Sequence, residues 1–276
     1  KLKKVLISKK LCIQLSEISK ISLEEIEKNI IEIRKNHAGL PIPVTLPLKT
    51  SASLASVIGN ACGDGCLRIN YFSYGNTELS LIKKLEKNID TFFSNKVRFR
   101  LSKKKRFEKD FFTLDYPGTV SDILHIFGKI PNNKLNEEYK IPPWISNGNK
   151  KVKQEFIQSL FDDESHVNKR DKNIVIHFSK KMELAHSLNQ FLSTIRKMLM
   201  DLGINPNPIH KRSHYKTSKH QHRISLGFTL SGKENLIIFK EHIGFSHSKK
   251  ISDLERVINS FKLIVFKPNE VYKKIL

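Results

Sequence analysis

Two stretches of this chain share one arrangement: an apolar run suited to a helix ends in carboxylates and then continues into a strand-like pattern. The first stretch covers residues 54–67 and the second covers residues 156–167. A carboxylate at the C-terminal end of a helix faces the negative end of the helix dipole and is disfavoured by ~0.3–1 kcal/mol. Each stretch therefore predicts a helix whose acidic end needs a compensating cation.

Small residues recur at every fourth position of the first stretch, at Ala55, Gly59 and Gly63. This spacing places them on one face of a helix, where their small size would let a second backbone approach closely. Asp64 follows at the end of the helix, and Gly65 is placed to adopt the left-handed conformation that ends helices. The pattern predicts two helices packed side by side, with their acids at a shared end.

Each stretch opens a longer repeat with the order helix, strand, strand, helix, strand, strand, helix. Alternating apolar and polar residues mark the strands, and the first repeat has these predicted elements: helix 54–63, strand 67–72, helix 79–93, strand 97–101, a basic turn at 103–106, strand 111–116 and helix 120–127. A period of about 100 residues is too long for a solenoid. The predicted fold is α+β, with two pseudo-symmetric αββαββα half-domains and antiparallel sheets.

The repeat divides the chain into four segments: an N-terminal helical module with its linker at 1–50, a first half-domain at 51–130, a linker at 131–150 and a second half-domain at 151–276. Prolines and asparagines mark the central linker, in which Trp144 is expected to pack as an anchor. In the N-terminal module, a capping box at Ser22–Glu25 begins a predicted helix that runs toward Gly39. This module is interpreted as a brace on the main domain, with a DNA-gripping helix-turn-helix as the alternative.

The charge of the chain points to a polyanionic partner. The formal net charge is +22 at pH 7 and the sequence pI is about 9.8, which suits nucleic acid first and a membrane surface second. No apolar run approaches the ~20 residues that span a bilayer. Three cysteines argue against a disulfide framework and favour a reducing, intracellular location with the host genome. Cys62 and Cys66 flank Asp64, and packing explains them better than zinc.

Residues Val57–Gly65 and Ile157–Ser165 resemble the nine-residue motif of the LAGLIDADG homing endonuclease family, in its single-chain form with two motifs. The catalytic acid of the family, at the eighth position, falls on Asp64 and Glu164. In the second copy Asp163 stands where the family has a small residue. The resemblance implies a site-specific endonuclease that cuts both strands of DNA across the minor groove of a long target site.

The resemblance also implies a metal centre. Phosphodiester hydrolysis needs a nucleophilic water and charge stabilisation, which a divalent cation supplies, and Mg²⁺ needs only one or two carboxylates. Asp64 and Glu164 would hold Mg²⁺, or Mn²⁺ in its place, with backbone carbonyls of Gly63 and Asp163 as further contacts. The family's basic residue near the active site falls on Lys180, with simple solvation of a helix start as the alternative.

Polar residues of the predicted strands and loops form the expected DNA surface. Arginine can pair with guanine edges, asparagine with adenine, and serine or threonine with either, whereas other contacts reach only phosphate. The four-histidine segment 210–222 is interpreted as a loop that grips phosphate and not as a zinc site. The predicted contacts are Arg68, Asn70, Arg98, Arg100, Lys104, Lys211, Arg212, Lys216, Arg223, Ser225 and Thr229.

The favoured hypothesis is a monomeric enzyme whose two sheets form a DNA-binding saddle, encoded within an intron or by a free-standing element. A free-standing form is preferred because no intein splicing residues are apparent at either end. The alternative is a binder of the same fold that does not cut: an RNA maturase for intron splicing, or a DNA-binding regulator. Both motif acids are present, which a pure binder would not require. A basic ribosomal or membrane-surface protein would explain the charge but not the acids.

Overall fold

The computed structural model of the protein describes residues 9–36, 39–216 and 222–261. The N-terminal segment contains α1 (Lys9–Ser19), α2 (Leu23–Lys28), β1 (Glu32–Ile33) and β2 (Ile42–Pro43). The first half contains α3 (Ala52–Cys62), β3 (Cys66–Leu67), β4 (Tyr71–Asn76), α4 (Leu79–Phe93), β5 (Arg100–Arg106), β6 (Lys109–Pro117) and α5 (Gly118–Gly128).

A short helix, α6 (Pro143–Ser146), lies between the halves. The second half contains α7 (Lys150–Glu164), β7 (Ser165–Asn168), β8 (Asn173–Lys181), a 3₁₀ turn (Met182–Leu184), α8 (Ala185–Asp201), β9 (His210–Lys216), β10 (His222–Ser231), α9 (Lys233–His242) and α10 (Ser248–Asn259). Both halves follow the predicted αββαββα order. Their antiparallel sheets have equivalent strand orders, β3-β4-β6-β5 and β7-β8-β10-β9, so the α+β fold with two equivalent halves is confirmed.

The two motif helices pack against each other in the centre of the protein. Every residue of α3 from 54 to 62 is buried. A Cβ placed on Gly59 would lie 2.6 Å from the carbonyl oxygen of Phe156 on α7, and the hydroxyls of Ser56 and Ser159 are 2.6 Å apart across the interface. Close approach through the small-residue face of α3 is therefore confirmed.

Gly65 serves that packing in a different way from the one predicted. The left-handed glycines of the described residues are Gly203, Gly232 and Gly244, so a left-handed Gly65 is wrong. A Cβ on Gly65 would lie 2.7 Å from the Cα of Ala61. Glycine is needed here because the chain folds back onto its own helix, which leaves no room for a side chain.

Two local predictions in the first sheet are also wrong. Residues 103–106 were predicted as a turn but belong to β5, and the turn falls at Phe107 and Glu108, with φ of 48° and 63°. Asp110 extends the hairpin by pairing with lysines of β5. Residues 68–70 were predicted as strand but form the connection between β3 and β4, closed by a bond from the Arg68 N–H to the Tyr71 carbonyl oxygen at 2.9 Å.

The N-terminal segment is helical only in its first part. Ser22 caps α2 by accepting from the Glu25 N–H at 3.2 Å, as the capping box predicts. The helix does not run toward Gly39, because it ends at Lys28 and the isoleucine-rich stretch that follows forms β1, paired with β2. Isoleucine is branched at Cβ and favours strands. Ile42 of β2 is fully buried in the main core, so this part of the segment packs as a brace.

The linker between the halves is ordered by specific contacts. The Trp144 indole N–H donates to the Phe127 carbonyl oxygen at 2.9 Å, so Trp144 is an anchor, as predicted. Within the described residues, none of the helices has the length and apolar character needed to cross a membrane.

Candidate active site

The two motif acids lie at the adjoining ends of the central helices. Asp64 directly follows the C-cap of α3, is exposed, and accepts from the Asn76 side-chain amide at 3.2 Å. Glu164 is the last residue of α7 and is half-buried. Burial, followed by the nearby Asp64 charge, raises the pKa of Glu164 from 4.5 to about 7. The helix packing thus brings two like charges together, as the repeat predicted.

A third carboxylate, that of Asp163, enters the space between the helices. It accepts from the Tyr74 hydroxyl at 2.7 Å, from the Asn60 amide at 3.1 Å and from the Asp64 N–H at 3.4 Å. A Cβ on Gly63 would lie 2.6 Å from the Asp163 Cβ. Burial, followed by the Asp64 charge, raises the pKa of Asp163 well above its ordinary value. Glycine at position 63 therefore makes room for the aspartate that replaces the small residue of the second motif.

The compensating cations are Lys134 and Lys250, which the sequence did not single out. The Lys134 ammonium donates to the carbonyl oxygens of Ala61 at 2.9 Å, Cys62 at 3.1 Å and Gly65 at 2.7 Å, and also to that of Gly63. Lys250 donates to two carbonyl oxygens of α7, those of residues 161 and 162, at 2.9 and 2.5 Å. Each lysine thus neutralises the end of one motif helix.

Sequence reasoning required such cations but had little means of finding them. Lys134 lies in the asparagine-rich linker, 70 positions after Asp64, where nothing in the sequence pairs it with α3. Lys250 lies in the Gly-Phe-Ser-His-Ser-Lys-Lys segment at 244–250. The placement of both side chains depends on tertiary packing, so the only available signal was the electrostatic need at the helix ends.

Lys180, the predicted basic residue of the site, is committed to the linker. Its side chain is buried, its ammonium donates to the Glu137 carbonyl oxygen at 2.6 Å, and it lies 4.2 Å from the centre of the Tyr139 ring. Burial lowers the pKa of Lys180 to about 8. Lys180 and Glu164 both line a cavity of about 310 Å³, so the two residues are neighbours although no bond joins them.

Three of the predicted DNA contacts on β10 are engaged within the protein. Arg223 is 9% exposed and donates to the Leu135 carbonyl oxygen and to the Asn136 side chain, at 3.1 and 3.2 Å. Ser225 is buried. The Thr229 hydroxyl accepts from a side-chain amide at 2.7 Å. This geometry favours a structural role for Arg223 and leaves base reading by these three residues without support.

The other predicted contacts lie on exposed surface. Strands β5 and β9 are the outer strands of their sheets, and both are exposed along their entire length. Residues 217–221 of the histidine-rich segment lie outside the described residues, and residues 210–216 form β9, where a loop was expected. The exposed predicted contacts are Arg68, Asn70, Arg98, Arg100, Lys104, Lys211, Arg212 and Lys216.

The acid pair offers a small set of ligands for a metal. In the part of the chain that the structure describes, no group of three or more His, Cys, Asp or Glu side chains is placed to hold an ion. Asp64 and Glu164 fit Mg²⁺, because this cation accepts one or two carboxylates and keeps several waters. The predicted carbonyl contact at Gly63 already accepts from Lys134, and the side chain of Asp163 is committed to Tyr74 and Asn60.

Comparison with known proteins gives one match to a family model and several distant relatives. A family model described as a LAGLIDADG-like domain matches residues 151–244. The tRNA-splicing ligase RtcB of Methanopyrus kandleri is 23% identical over 236 residues, which cover 76% of this chain and 23% of that protein. A probable translation initiation factor IF-2 of Thermococcus kodakarensis is 26% identical over 136 residues, which cover 49% of this chain and 10% of that protein. The chain therefore spans less than a quarter of either relative.

Two solved structures show a distant likeness. The homing endonuclease I-DmoI, in complex with DNA and Ca, is 14% identical with a TM-score of 0.43, over 74% of this chain and 97% of that chain. The N-terminal LAGLIDADG domain of DUF199/WhiA is 14% identical with a TM-score of 0.42, over 77% of this chain and 90% of that chain. The family model matches residues 151–244, about a third of this chain, and this match confirms the resemblance at the second motif.

Proposed function

We propose that this protein is a site-specific DNA endonuclease that hydrolyses both strands of a duplex with a divalent cation held by Asp64 and Glu164. One observation carries the proposal: two helices pack through Gly59 so closely that they bring two carboxylates together at their unfavourable ends. A divalent cation relieves both the repulsion between the carboxylates and the unfavourable dipoles.

The described residues supply the binding part of the activity. A bound Mg²⁺ supplies charge stabilisation and an activated water. Asp64 and Glu164 hold it, and the exposed cations of β5 and β9 bind phosphate, with the net charge of +22 attracting DNA from solution. Both acids come from one chain, so the proposed working unit is a monomer, located with the genome that it cuts.

The matches to two unrelated proteins support the proposal that this chain corresponds to a module with a function separate from that of the protein around it. An RNA ligase and a translation factor have unrelated roles, yet each matches this chain over a minor part of its own length. The shared stretch is therefore proposed to carry an activity of its own, as a mobile endonuclease would, whether intron-encoded or free-standing.

Selection of cleaved sites from a random duplex library with Mg²⁺ tests the proposal. We expect the wild-type protein to recover one defined, pseudo-palindromic site. Asp64→Asn and Glu164→Gln should each reduce cleavage of that site by ~100-fold or more, while binding of the same duplex in Ca²⁺ is retained. Asp201→Asn, which alters a surface ion pair with Lys153, is the control and should cut normally. The proposal fails if both motif variants cleave as the wild type does.

A binder that does not cut is the second candidate, and one observation favours it. Lys134 donates to the carbonyl oxygen of Gly63, so the protein itself supplies a positive charge at the end of α3. An RNA maturase or a DNA-binding regulator would need only this balanced scaffold and its basic strands. If the wild-type protein binds duplex DNA or intron RNA tightly but recovers no cleaved site, this candidate replaces the endonuclease, and an intron-splicing assay then separates its two versions.

A further inference from the structure

Lys134 is a linker residue that binds the C-terminal end of the first motif helix. Its ammonium bonds to the carbonyl oxygens of Gly63 and Gly65, the two neighbours of Asp64 in the chain. The side chain is half-buried. A cation so placed lies close to Asp64, since it bonds to the residues on both sides of this acid.

Lys250 has the equivalent position on the second helix, and α7 itself builds the site. The buried Asp162 accepts from the N–H groups of Ser246 and His247, at 2.8 and 3.2 Å, where α10 begins. This contact fixes the start of α10, and Lys250 in its first turn returns to the carbonyl oxygens of Phe161 and Asp162. Lys134 follows α5 and Lys250 follows α9, the equivalent helices of the two halves, so the arrangement repeats with the fold.

The second sheet holds the linker segment that carries Lys134. Arg223 donates to Leu135 and Asn136, and Lys180 donates to the carbonyl oxygen of Glu137. The N–H of Lys181 also donates to the Leu135 carbonyl oxygen, at 3.3 Å. Lys180 and Lys181 of β8, together with Arg223 of β10, which pairs with Lys181, thus hold the three residues that follow Lys134. The first motif helix is therefore capped by a lysine whose position depends on the second half.

We propose that Lys134 and Lys250 are resident counter-ions of the acid pair, which keep both helix ends charge-balanced until a divalent cation binds. Lys180 and Arg223 are positioning residues that hold Lys134 in place through the linker. This inference rests on the proposed function only in taking a divalent cation as the ligand of the acids. Burial raises the pKa values of both Asp64 and Glu164, and the charges of Lys134 and Lys250 oppose this rise at both acids, in agreement with their proximity.

Thermal unfolding of the full chain without DNA tests the counter-ions independently of cleavage. In EDTA, Lys134→Met is expected to lower Tm by about 5 °C or more, because the acids lose their cation. Saturating Mg²⁺ should raise the Tm of this variant by more than it raises that of the wild type. In an Asp64→Asn background, the Lys134→Met substitution should lower Tm much less, since one of the two charges is gone. Lys134→Arg should retain most of the wild-type Tm.

Lys84→Met is the matched control. Lys84 is a partly buried lysine that donates to the side chains of Gln158 and Ser246, at 2.5 and 2.9 Å, and lies 3.6 Å from Asp162. These bonds go to side chains and not to the carbonyl oxygens that end α3 and α7. The decrease in Tm caused by Lys84→Met should be the same with and without Mg²⁺, and the same in the Asp64→Asn background. Arg223→Gln should show a smaller loss of Tm than Lys134→Met, with the same rescue by Mg²⁺ that marks a positioning residue.

The outcomes separate this inference from the proposed nuclease. If Lys134→Met unfolds as the wild type does, or if either Mg²⁺ or Asp64→Asn fails to rescue it, the counter-ion assignment is overturned, whether or not the protein cuts DNA. If both Mg²⁺ and Asp64→Asn rescue the variant but the wild type cuts no DNA, the counter-ion assignment is kept and the proposed nuclease activity is rejected.

Discussion

The two halves of the molecule share a backbone but not a chemistry at its centre. Each half ends its motif helix in an acid and neutralises that end with a lysine. Asp64 follows Gly63 in the chain and is exposed, whereas Glu164 follows Asp163 and is half-buried. The Asp163 side chain accepts a hydrogen bond from Tyr74 of the first half. The comparison shows that the pseudo-twofold symmetry orders the main chain, while the polar interior is asymmetric.

Close packing is also unequal between the two helices. Gly59 of α3 faces the backbone of α7, with the Phe156 carbonyl oxygen 2.6 Å from a built Cβ. The equivalent motif position on α7 is Ser159, whose hydroxyl meets that of Ser56. The interface therefore needs a missing side chain on one helix and tolerates a small polar one on the other.

The largest expected effect tests this inequality. Gly59→Val should destabilise the protein by ~3 kcal/mol or more, because the new side chain meets backbone that cannot move aside. Ser159→Ala should cost only ~1 kcal/mol, the usual value of one buried hydrogen bond. Urea unfolding of the two variants measures the difference. Equal losses would show that both helices contribute to the interface in the same way.

The second effect is a dependence of stability on pH that comes from Glu164. The pKa of Glu164 is raised from 4.5 to about 7 by burial and by Asp64. Between these values the unfolded chain has lost this proton while the folded chain keeps it, so stability falls as pH rises from about 4.5 to 7. Glu164→Gln should remove this fall and stabilise the metal-free protein at pH 8 by up to ~3 kcal/mol.

Urea unfolding in EDTA from pH 4 to pH 8 measures this effect. The wild type and Glu164→Gln should differ little at pH 4 and most at pH 8. For the same reason, Ca²⁺ affinity of the wild type should increase as pH rises through 7, where Glu164 ionises. A difference in stability that is already complete at pH 5 would contradict the raised pKa.

Much of this architecture could be predicted from the sequence because it follows from local patterns. The spacing of Ala55, Gly59 and Gly63 predicts the helix interface, and the repeated order of elements predicts the two sheets. Local patterns were ambiguous where a basic run could be turn or strand, as at residues 103–106. There the cross-strand pairing with Asp110 decided the outcome.

The centre of the site was less predictable, because its contacts join residues far apart in the chain. Lys134 reaches Gly63 at the end of α3 across 71 positions, and Arg223 reaches the linker across 87 and 88 positions. A basic residue on a strand with alternating polarity is expected to face solvent, as Arg223 was. The linker covers that face of the sheet locally, so the same pattern leads to a buried residue.

A third, smaller effect tests the bond that crosses between the halves. Tyr74→Phe removes the hydroxyl that donates to Asp163 at 2.7 Å and should cost ~1–3 kcal/mol, because a buried carboxylate loses a donor. Tyr116 on β6 is the matched control, since its buried hydroxyl has no hydrogen-bond partner among the described residues. Tyr116→Phe should leave stability unchanged in urea unfolding. A loss as large as that of Tyr74→Phe would contradict the crossing bond.

The smallest expected effect compares the outer strands with β10. Lys104 on β5 and Lys211 on β9 are exposed, and each alanine substitution should reduce the slope of log K against log salt by ~0.9 for duplex DNA, as the loss of one phosphate contact does. Arg223→Gln should lower the free energy of unfolding but leave the slope unchanged, because Arg223 bonds to the linker. If only Arg223→Gln reduced the slope of log K against log salt by about one unit, Arg223 would contact DNA. That result would contradict its role in positioning Lys134 through the linker.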